Sequence, residues 1–98
     1  MERINSYQTY TEKALYIGQK KSLQEAILQA EEKTLQALRE YEELDNANAD
    51  DAVIDSAYAK YEQANELYRS LMNKRDAVDN IISLLDSLTD ELEYLETC

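Results

Sequence analysis

Apolar residues in the second half of the chain recur at the spacing of a helix that buries one edge. Steps of four and three residues alternate there without a slip, through Leu67, Leu71, Lys74, Val78, Ile81, Leu85, Leu88, Leu92 and Leu95. This spacing is typical of the seam that one helix packs against another. Lys74 is the charged member of the series. The pattern therefore predicts a long helix with a buried seam along these positions.

The first half shows two helical patterns that differ in phase. The first runs through Tyr7, Tyr10, Ala14 and Ile17. The second runs through Leu23, Ile27, Ala30, Thr34, Ala37, Tyr41 and Leu44. Between them lies Gly18, which costs a helix interior about 1 kcal/mol relative to Ala. Two interpretations stay open: a first helix kinked or broken at Gly18, or a continuous helix whose seam changes phase there.

The segment 45–51 predicts a turn between the two helical halves. Its residues are small and polar, and Asn48 or Asp50 is expected to cap the following helix. Its alternating Asn and Asp residues resemble the start of a calcium-binding loop. In such a loop the sixth residue is Gly and the twelfth is Glu, whereas this chain has Asp51 and Ala57. The segment is therefore interpreted as a turn and not as a metal site.

Two helical halves joined by one turn predict a single all-α domain over residues 1–98. The first arm spans about 2–46, the turn about 45–51 and the second arm about 51–96, folded as an elongated, coiled-coil-like antiparallel hairpin. The chain has no Pro and one Gly, so little in it would break long helices. In this hairpin Leu23 faces Lys74, and Lys20 and Lys21 approach Asp76 and Asp79.

The apolar stripes are wider than the single seam that a two-helix hairpin can bury. This surplus predicts a further layer, supplied by the segment 7–17 folding back, by a second copy of the chain in a helical bundle or by a protein partner, of which the last two are favoured. Tyr combines an apolar body with a polar tip and is frequent at interfaces, although it also serves as an ordinary half-buried core residue. The expected contact set is Tyr58, Tyr61, Tyr68, Leu28, Leu35 and Leu38.

The charge of the chain favours a partner with a basic surface. The net charge is −11, from 21 acidic and 10 basic residues. This sign disfavours direct contact with nucleic acid and with anionic membranes. Residues 76–98 contain seven acidic residues and no basic one, although a helix C-terminus disfavours carboxylates. A partner-binding acidic end is therefore expected at Asp86, Asp90, Glu91 and Glu93, with a solvated acidic tail as the alternative.

The composition offers little for catalysis, so no enzyme activity, catalytic residue, cofactor or metal site is expected. There is no His, and the single thiol is that of Cys98. One Cys allows neither an intramolecular disulfide nor a zinc site of the usual ligands. Cys98 is expected to be inert, with a disulfide between two chains as the alternative. With no signal-peptide pattern and no long apolar run, synthesis in the cytoplasm is expected, while leaderless export stays open.

Short acidic hairpins are similar to small secreted or chaperone subunits of bacterial secretion machines. Type VII secreted hairpins carry a Trp-x-Gly turn and a Tyr-x-x-x-acid export signal near the tail. The turn here has neither Trp nor Gly, and residues 41–45 match the signal in the middle of the chain. The sequence is therefore not assigned to any of these families.

The function expected from these features is protein–protein interaction without catalysis. The chain would act as a small acidic adaptor, chaperone or assembly subunit, such as one of a bacterial secretion system or a phage. It would bury helix faces against a partner or a second copy. The alternative is an acidic inhibitor of the phage type, which would occupy the basic nucleic-acid-binding surface of a host nuclease or defence complex.

Overall fold

The structure, a computed structural model, describes residues 4–97 and consists of two helices. Helix α1 spans Ser6–Asn46 and helix α2 spans Asp51–Thr97, with the turn between them at residues 47–50. Within residues 4–97 there is no β-strand. The predicted all-α helical hairpin is confirmed. The start expected for the first arm at residue 2, and Cys98, lie outside the described residues.

The chain divides into two compact units, each made of two antiparallel helical segments. Unit one contains the described residues up to Leu23 and those from Lys74 onward, and unit two contains Gln24–Asn73. In unit one, Lys20 Nζ lies 2.5 Å from Asp79 Oδ1, which confirms that predicted contact. Asp76 instead pairs with its neighbour Arg75, at 3.2 Å.

The first turn of α1 is capped from within the chain. Asn5 Oδ1 accepts a hydrogen bond from the main-chain N–H of Gln8 at 2.9 Å, and Gln8 Oε1 accepts one from the main-chain N–H of Asn5 at 3.0 Å. This reciprocal pair is a capping box, which satisfies two of the amides that a helix leaves free at its start. The Ser6 amide donates to Glu96 at 3.0 Å. The far end of α2 therefore helps to cap α1.

The turn ends α1 with a residue in the left-handed conformation. Asn48 has a φ of 55°, a region that Asn tolerates better than most side chains. The Ala49 amide donates to the Leu44 carbonyl at 3.1 Å, and the Asn48 amide donates to Asp45 at 3.2 Å. This pair of bonds is the Schellman motif, in which Asn48 takes the place usual for Gly. Asn48 therefore ends α1.

The other residue expected as a cap lies at the start of α2. The Asp50 carbonyl accepts hydrogen bonds from the amides of Val53 at 2.9 Å and Ile54 at 3.0 Å. A carbonyl that accepts the first bonds of a helix belongs to the N-cap residue. Asp50 is therefore the residue at which α2 begins to wind.

The buried side of α1 follows one heptad pattern from its first turn to its last. Its buried and half-buried positions include Ser6, Thr9, Lys13, Tyr16, Lys20, Leu23, Ile27, Ala30, Thr34, Ala37, Tyr41 and Leu44. The part from Leu23 onward is the predicted seam. The helix passes through Gly18 without a break and without a change of phase. The continuous helix of the second interpretation is confirmed, whereas its change of phase at Gly18 and the break of the first interpretation are wrong.

The start of α1 is helical as predicted, but its apolar stripe faces outward, because Tyr7, Tyr10, Ala14 and Ile17 are all exposed. An unbroken helix keeps its phase, so the face that Leu23 and Ile27 fix also fixes which face turns inward earlier in α1. That inward face carries polar side chains. The apolar stripe through Tyr7 and Tyr10 could turn inward only if α1 were interrupted between this stripe and Leu23.

The predicted seam of α2 is half correct. Leu71, Val78, Leu85 and Leu92 are buried or half-buried, as expected. Of the other predicted positions, Ile81 is half-buried as expected, whereas Leu67, Lys74, Leu88 and Leu95 are exposed. At three of these four the next residue lies inward instead: Tyr68 and Arg75 are half-buried, and Thr89 is buried. Arg75 can lie there because its long stem packs while its guanidinium reaches Asp76. The charged Lys74 therefore does not interrupt the seam, because it lies outside it.

Unit two has the better-formed core, and its buried side chains are small. Ile27, Ala30, Thr34 and Ala57 are each at most 9% exposed. The Thr34 hydroxyl donates to the Ala30 carbonyl at 2.7 Å, so its polar atom is satisfied within its own helix. Small side chains let the two segments of this unit approach closely.

Candidate protein-interaction surface

The seam of unit one is joined by polar side chains. The cross-helix contacts are Ser6 with Glu96, Thr9 with Thr89, Lys13 with Asp86 and Lys20 with Asp79. These four polar contacts favour one register of the two segments. They place, among the apolar side chains of α2, groups that give little hydrophobic stabilisation.

Thr9 and Thr89 form one of these four contacts, and both side chains are buried. Thr89 Oγ1 lies 2.6 Å from Thr9 Oγ1 and 2.7 Å from the Leu85 carbonyl oxygen. Thr9 Oγ1 in turn lies 3.0 Å from the Ser6 carbonyl oxygen. One hydroxyl therefore donates to the other, and the second proton goes to a main-chain carbonyl. Both side chains are satisfied without water.

Two lysines of α1 neutralise two carboxylates of α2. The Lys13 ammonium forms an ion pair with Asp86, and this hydrogen bond raises the pKa of Lys13 against an opposing effect of desolvation. Lys20 also forms an ion pair, with Asp79. Asp86, expected to belong to a partner-binding acidic end, therefore already has a partner within its own chain.

Many apolar side chains of unit one are exposed at the surface. On α1 the exposed ones include Tyr7, Tyr10, Leu15 and Ile17, and Tyr7 is 76% exposed. On α2 they include Leu84, Leu88, Tyr94 and Leu95. A helix normally buries its apolar face and exposes its polar face. The first part of α1 does the reverse.

Some of these side chains line a groove, here called the apolar groove. Its apolar wall is formed by Ile4, Tyr7 and Leu15 on one side and by Leu85 and Leu88 on the other. Its polar lining is Gln8, Thr9, Thr11 and Glu12. Its volume is about 520 Å³, and it is open to solvent.

A second depression, smaller than the apolar groove, lies on the surface of α2 and is here called the acidic hollow. It is lined by Asp90, Glu91, Tyr94 and Leu95 and has a volume of about 410 Å³. Two of the four residues expected at the acidic end, Asp90 and Glu91, therefore lie beside apolar side chains. The other member without a described ion pair, Glu93, is exposed on the same helix.

In unit two the structure brings together part of the expected contact set. The Tyr58 and Tyr61 ring centroids are 6.1 Å apart, and Tyr58 and Tyr41 are 5.2 Å apart. Tyr58 is exposed, and its hydrogen bond to Glu62 raises the pKa of the Tyr58 hydroxyl. The clustering of Tyr41 with the two predicted tyrosines was not foreseen.

The remaining members of that set differ in exposure. Tyr68 and Leu38 are half-buried, whereas Leu28 and Leu35 are exposed. Leu28 and Leu35 are separated by one heptad, so they lie on the same face of α1. These two leucines stay available for a contact outside the chain.

The sequence contained a signal for the apolar groove that the search for apolar stripes missed. Continuing the Leu23–Leu44 pattern backward in steps of three and four leads to Lys20, Tyr16, Lys13, Thr9 and Ser6, of which all but Tyr16 are polar or charged. A polar face turned inward implies an apolar face turned outward. The groove could therefore have been inferred from the phase of the well-defined part of α1.

No protein-family model, curated protein or solved structure matches this chain. Over residues 4–97, neither helix contains a stretch long and apolar enough to cross a membrane. Within the same range, no group of three or more Cys, Asp or Glu side chains is arranged to hold a metal ion.

Proposed function

We propose that the protein is a non-enzymatic interaction module that docks helices of another protein onto its exposed apolar faces. The observation that carries this proposal is the inverted start of α1. There Thr9 is buried and Lys13 half-buried, whereas Tyr7, Tyr10 and Ile17 face solvent. Contiguous exposed apolar side chains on a small protein mark interaction sites.

The mechanism is burial of the apolar groove and its neighbours by a partner. Each Å² of apolar surface removed from water contributes about 25 cal/mol, before the entropic cost of association is subtracted. The exposed leucines Leu28 and Leu35 of unit two offer a further contact. An adaptor, a chaperone and an assembly subunit all work by this kind of docking, and the partner can be another protein or a second copy.

The alternative is an acidic inhibitor that occupies a basic nucleic-acid-binding surface. Its support is the concentration of acidic residues in 76–98, where seven carboxylates occur without a basic residue. Against it, Lys13 and Lys20 neutralise Asp86 and Asp79. A polyanion mimic gains from unpaired charge, so this pairing favours the apolar docking module.

Site-specific photo-crosslinking tests the proposal. A photoreactive amino acid is placed at Tyr7 or Leu88 in the groove and, as a control, at the exposed polar positions Asn73 or Ser70. Light scattering of the purified chain is measured in parallel. We expect a discrete adduct, or a self-associated species, that depends on the groove positions and survives about 1 M salt, because salt screens charge pairs and not apolar contacts.

Two results would contradict the docking module. One is a monomeric chain that gives the same background crosslinking from the groove and the control positions. The other is an adduct that is lost at high salt and on charge reversal at Asp90, Glu91 and Glu93 but is unaffected by Leu88→Gln. The second result would favour the inhibitor.

A further inference from the structure

We infer that the occupant of the apolar groove is a basic amphipathic helix of a protein partner. This inference rests on the proposed function and adds the chemical class of the partner. It follows from the shape of the groove, from the charge that stays free around it and from the side chains of the acidic hollow.

The groove has the form that a third helix fits. Its walls come from two antiparallel helical segments, with Tyr7 and Leu15 on α1 and Leu85 and Leu88 on α2. A helix lying between two others presents apolar side chains at every third or fourth residue. The groove follows the roughly two turns of α1 that separate Tyr7 from Leu15, and Ile4 extends it before the helix begins, so it has room for several such side chains.

The free charge beside the groove is negative. Glu12 lines the groove, and Asp90 and Glu91 line the acidic hollow. Among residues 4–97 no cation lies within salt-bridge distance of these three carboxylates. Lys13, which lies near enough to Asp90 for their charges to interact, is already paired with Asp86. A partner with Lys or Arg beside its apolar ridge complements this pattern.

The acidic hollow has the composition that suits a long basic side chain. Tyr94 and Leu95 offer apolar surface to the methylene stem of a Lys or Arg. Asp90 and Glu91 provide carboxylates for its charged end, and the Tyr94 ring can also attract a cation. A hollow lined only by carboxylates would bind a free cation as well as a basic side chain. In the acidic hollow, Tyr94 and Leu95 also offer a surface for the methylene stem of a Lys or Arg.

A second copy of the chain complements this charge less well. Residues 74–97 carry seven acidic residues against Lys74 and Arg75, and Arg75 is paired with Asp76. Packing that segment against its own copy brings charges of one sign together, which opposes association. The groove therefore fits a basic partner better than a second copy.

Defined peptides test the inference on the full chain. The probe is a synthetic helical peptide of about 20 residues with Leu at every third or fourth position and Lys elsewhere. The matched probe has the same Leu pattern with Glu in place of Lys. We expect calorimetry to detect binding of the Lys peptide only, and this binding to weaken severalfold between about 0.05 M and about 0.5 M salt.

Matched variants assign the binding to the groove. Leu88→Gln should weaken binding of the Lys peptide about tenfold, as expected for an apolar contact at the centre of an interface. Val53→Gln removes an exposed apolar side chain of unit two and should leave binding unchanged. Glu12→Gln combined with Glu91→Gln should weaken binding about fivefold. The control with the same charge change, Glu31→Gln combined with Glu66→Gln, should have a smaller effect.

The outcomes separate this inference from the proposed function. Equal binding of the Lys and Glu peptides would overturn the basic partner and leave the docking module in place. A dimer of the chain alone that Leu88→Gln dissociates would have the same two consequences, because the occupant of the groove would then be a second copy. Binding of the Lys peptide with equal loss in the groove and control variants would place the contact elsewhere and also overturn the inference.

Discussion

The Thr9 and Thr89 hydroxyls lie 2.6 Å apart in the buried seam of unit one. A hydrogen bond contributes about 0.5–1.5 kcal/mol net to stability, whereas replacing both partners by apolar groups of the same shape is nearly neutral. We therefore expect Thr9→Val and Thr89→Val each to lower the free energy of unfolding, and the double variant to be no less stable than either. Urea unfolding measures all three.

Thr34→Val is the control for that cycle. Thr34 is also buried, but its hydroxyl bonds to Ala30 within its own helix. Its effect should add to that of Thr89→Val, because distant sites without shared partners are independent. Strict additivity of Thr9→Val and Thr89→Val would show that the two hydroxyls do not interact.

Gly18 can be replaced without steric cost. A Cβ built at Gly18 meets no heavy atom within 4 Å. Because α1 is helical there, Gly18→Ala should raise the free energy of unfolding by about 1 kcal/mol. The reverse change at a nearby exposed position, Ala14→Gly, should lower it by a similar amount. A destabilised Gly18→Ala variant, measured by urea unfolding, would mean that the helix is interrupted at Gly18.

Asn48 is the position at which backbone conformation decides the effect of a substitution. Its φ of 55° is accessible to Gly and strained for Ala. We expect Asn48→Ala to cost about 1 kcal/mol and Asn48→Gly to be neutral or slightly stabilising. Thermal unfolding compares the two. If Ala and Gly were equally tolerated, Asn48 would not adopt the left-handed conformation.

The contact between Glu96 and Ser6 makes a pH-dependent contribution to stability. The Ser6 hydroxyl and amide both donate to Glu96, at 2.5 and 3.0 Å, and lower the pKa of that carboxyl below its unfolded value of 4.5. A lowered pKa gives stability that is present above pH 4.5 and is lost as pH falls through the folded pKa. Glu96→Gln should therefore be less stable than the wild type at neutral pH.

The difference in the free energy of unfolding between the wild type and Glu96→Gln should shrink as pH falls below 4.5. Comparing them at each pH cancels the titration of the other carboxylates. Glu93→Gln, on the same helix, serves as the control. If the difference between the wild type and Glu96→Gln did not change with pH, the bond would not depend on the charge of Glu96.

The sequence was sufficient for the fold class, for the turn and for the seam from Leu23 to Leu44, because these depend on local spacing and on turn-forming residues. It was insufficient for the start of α1. There the most apolar stripe, through Tyr7 and Tyr10, differs from the stripe that helix continuity turns inward. Hydrophobicity was a poor guide because polar contacts such as that of Thr9 with Thr89 fill the interface.

The candidate site was less predictable than the fold for the same reason. The contact set expected in unit two was chosen by residue type, and the structure joins Tyr58 and Tyr61 to Tyr41. The apolar groove depends on which face of α1 is exposed, which only its phase determines. Pairing of Asp86 with Lys13 depends on the register of two segments far apart in sequence.

The bonds between Ser6 and Glu96 join residues 90 positions apart, whereas the turn bond joins Ala49 to Leu44. The entropy lost when a loop closes grows with its length, so contacts near the turn are the easier ones to form from the open chain. We expect the ends of the hairpin to close last and to separate first. Amide hydrogen exchange should accordingly be faster near Thr9 than near Thr34. A partner that fills the apolar groove would then slow exchange most at the chain ends.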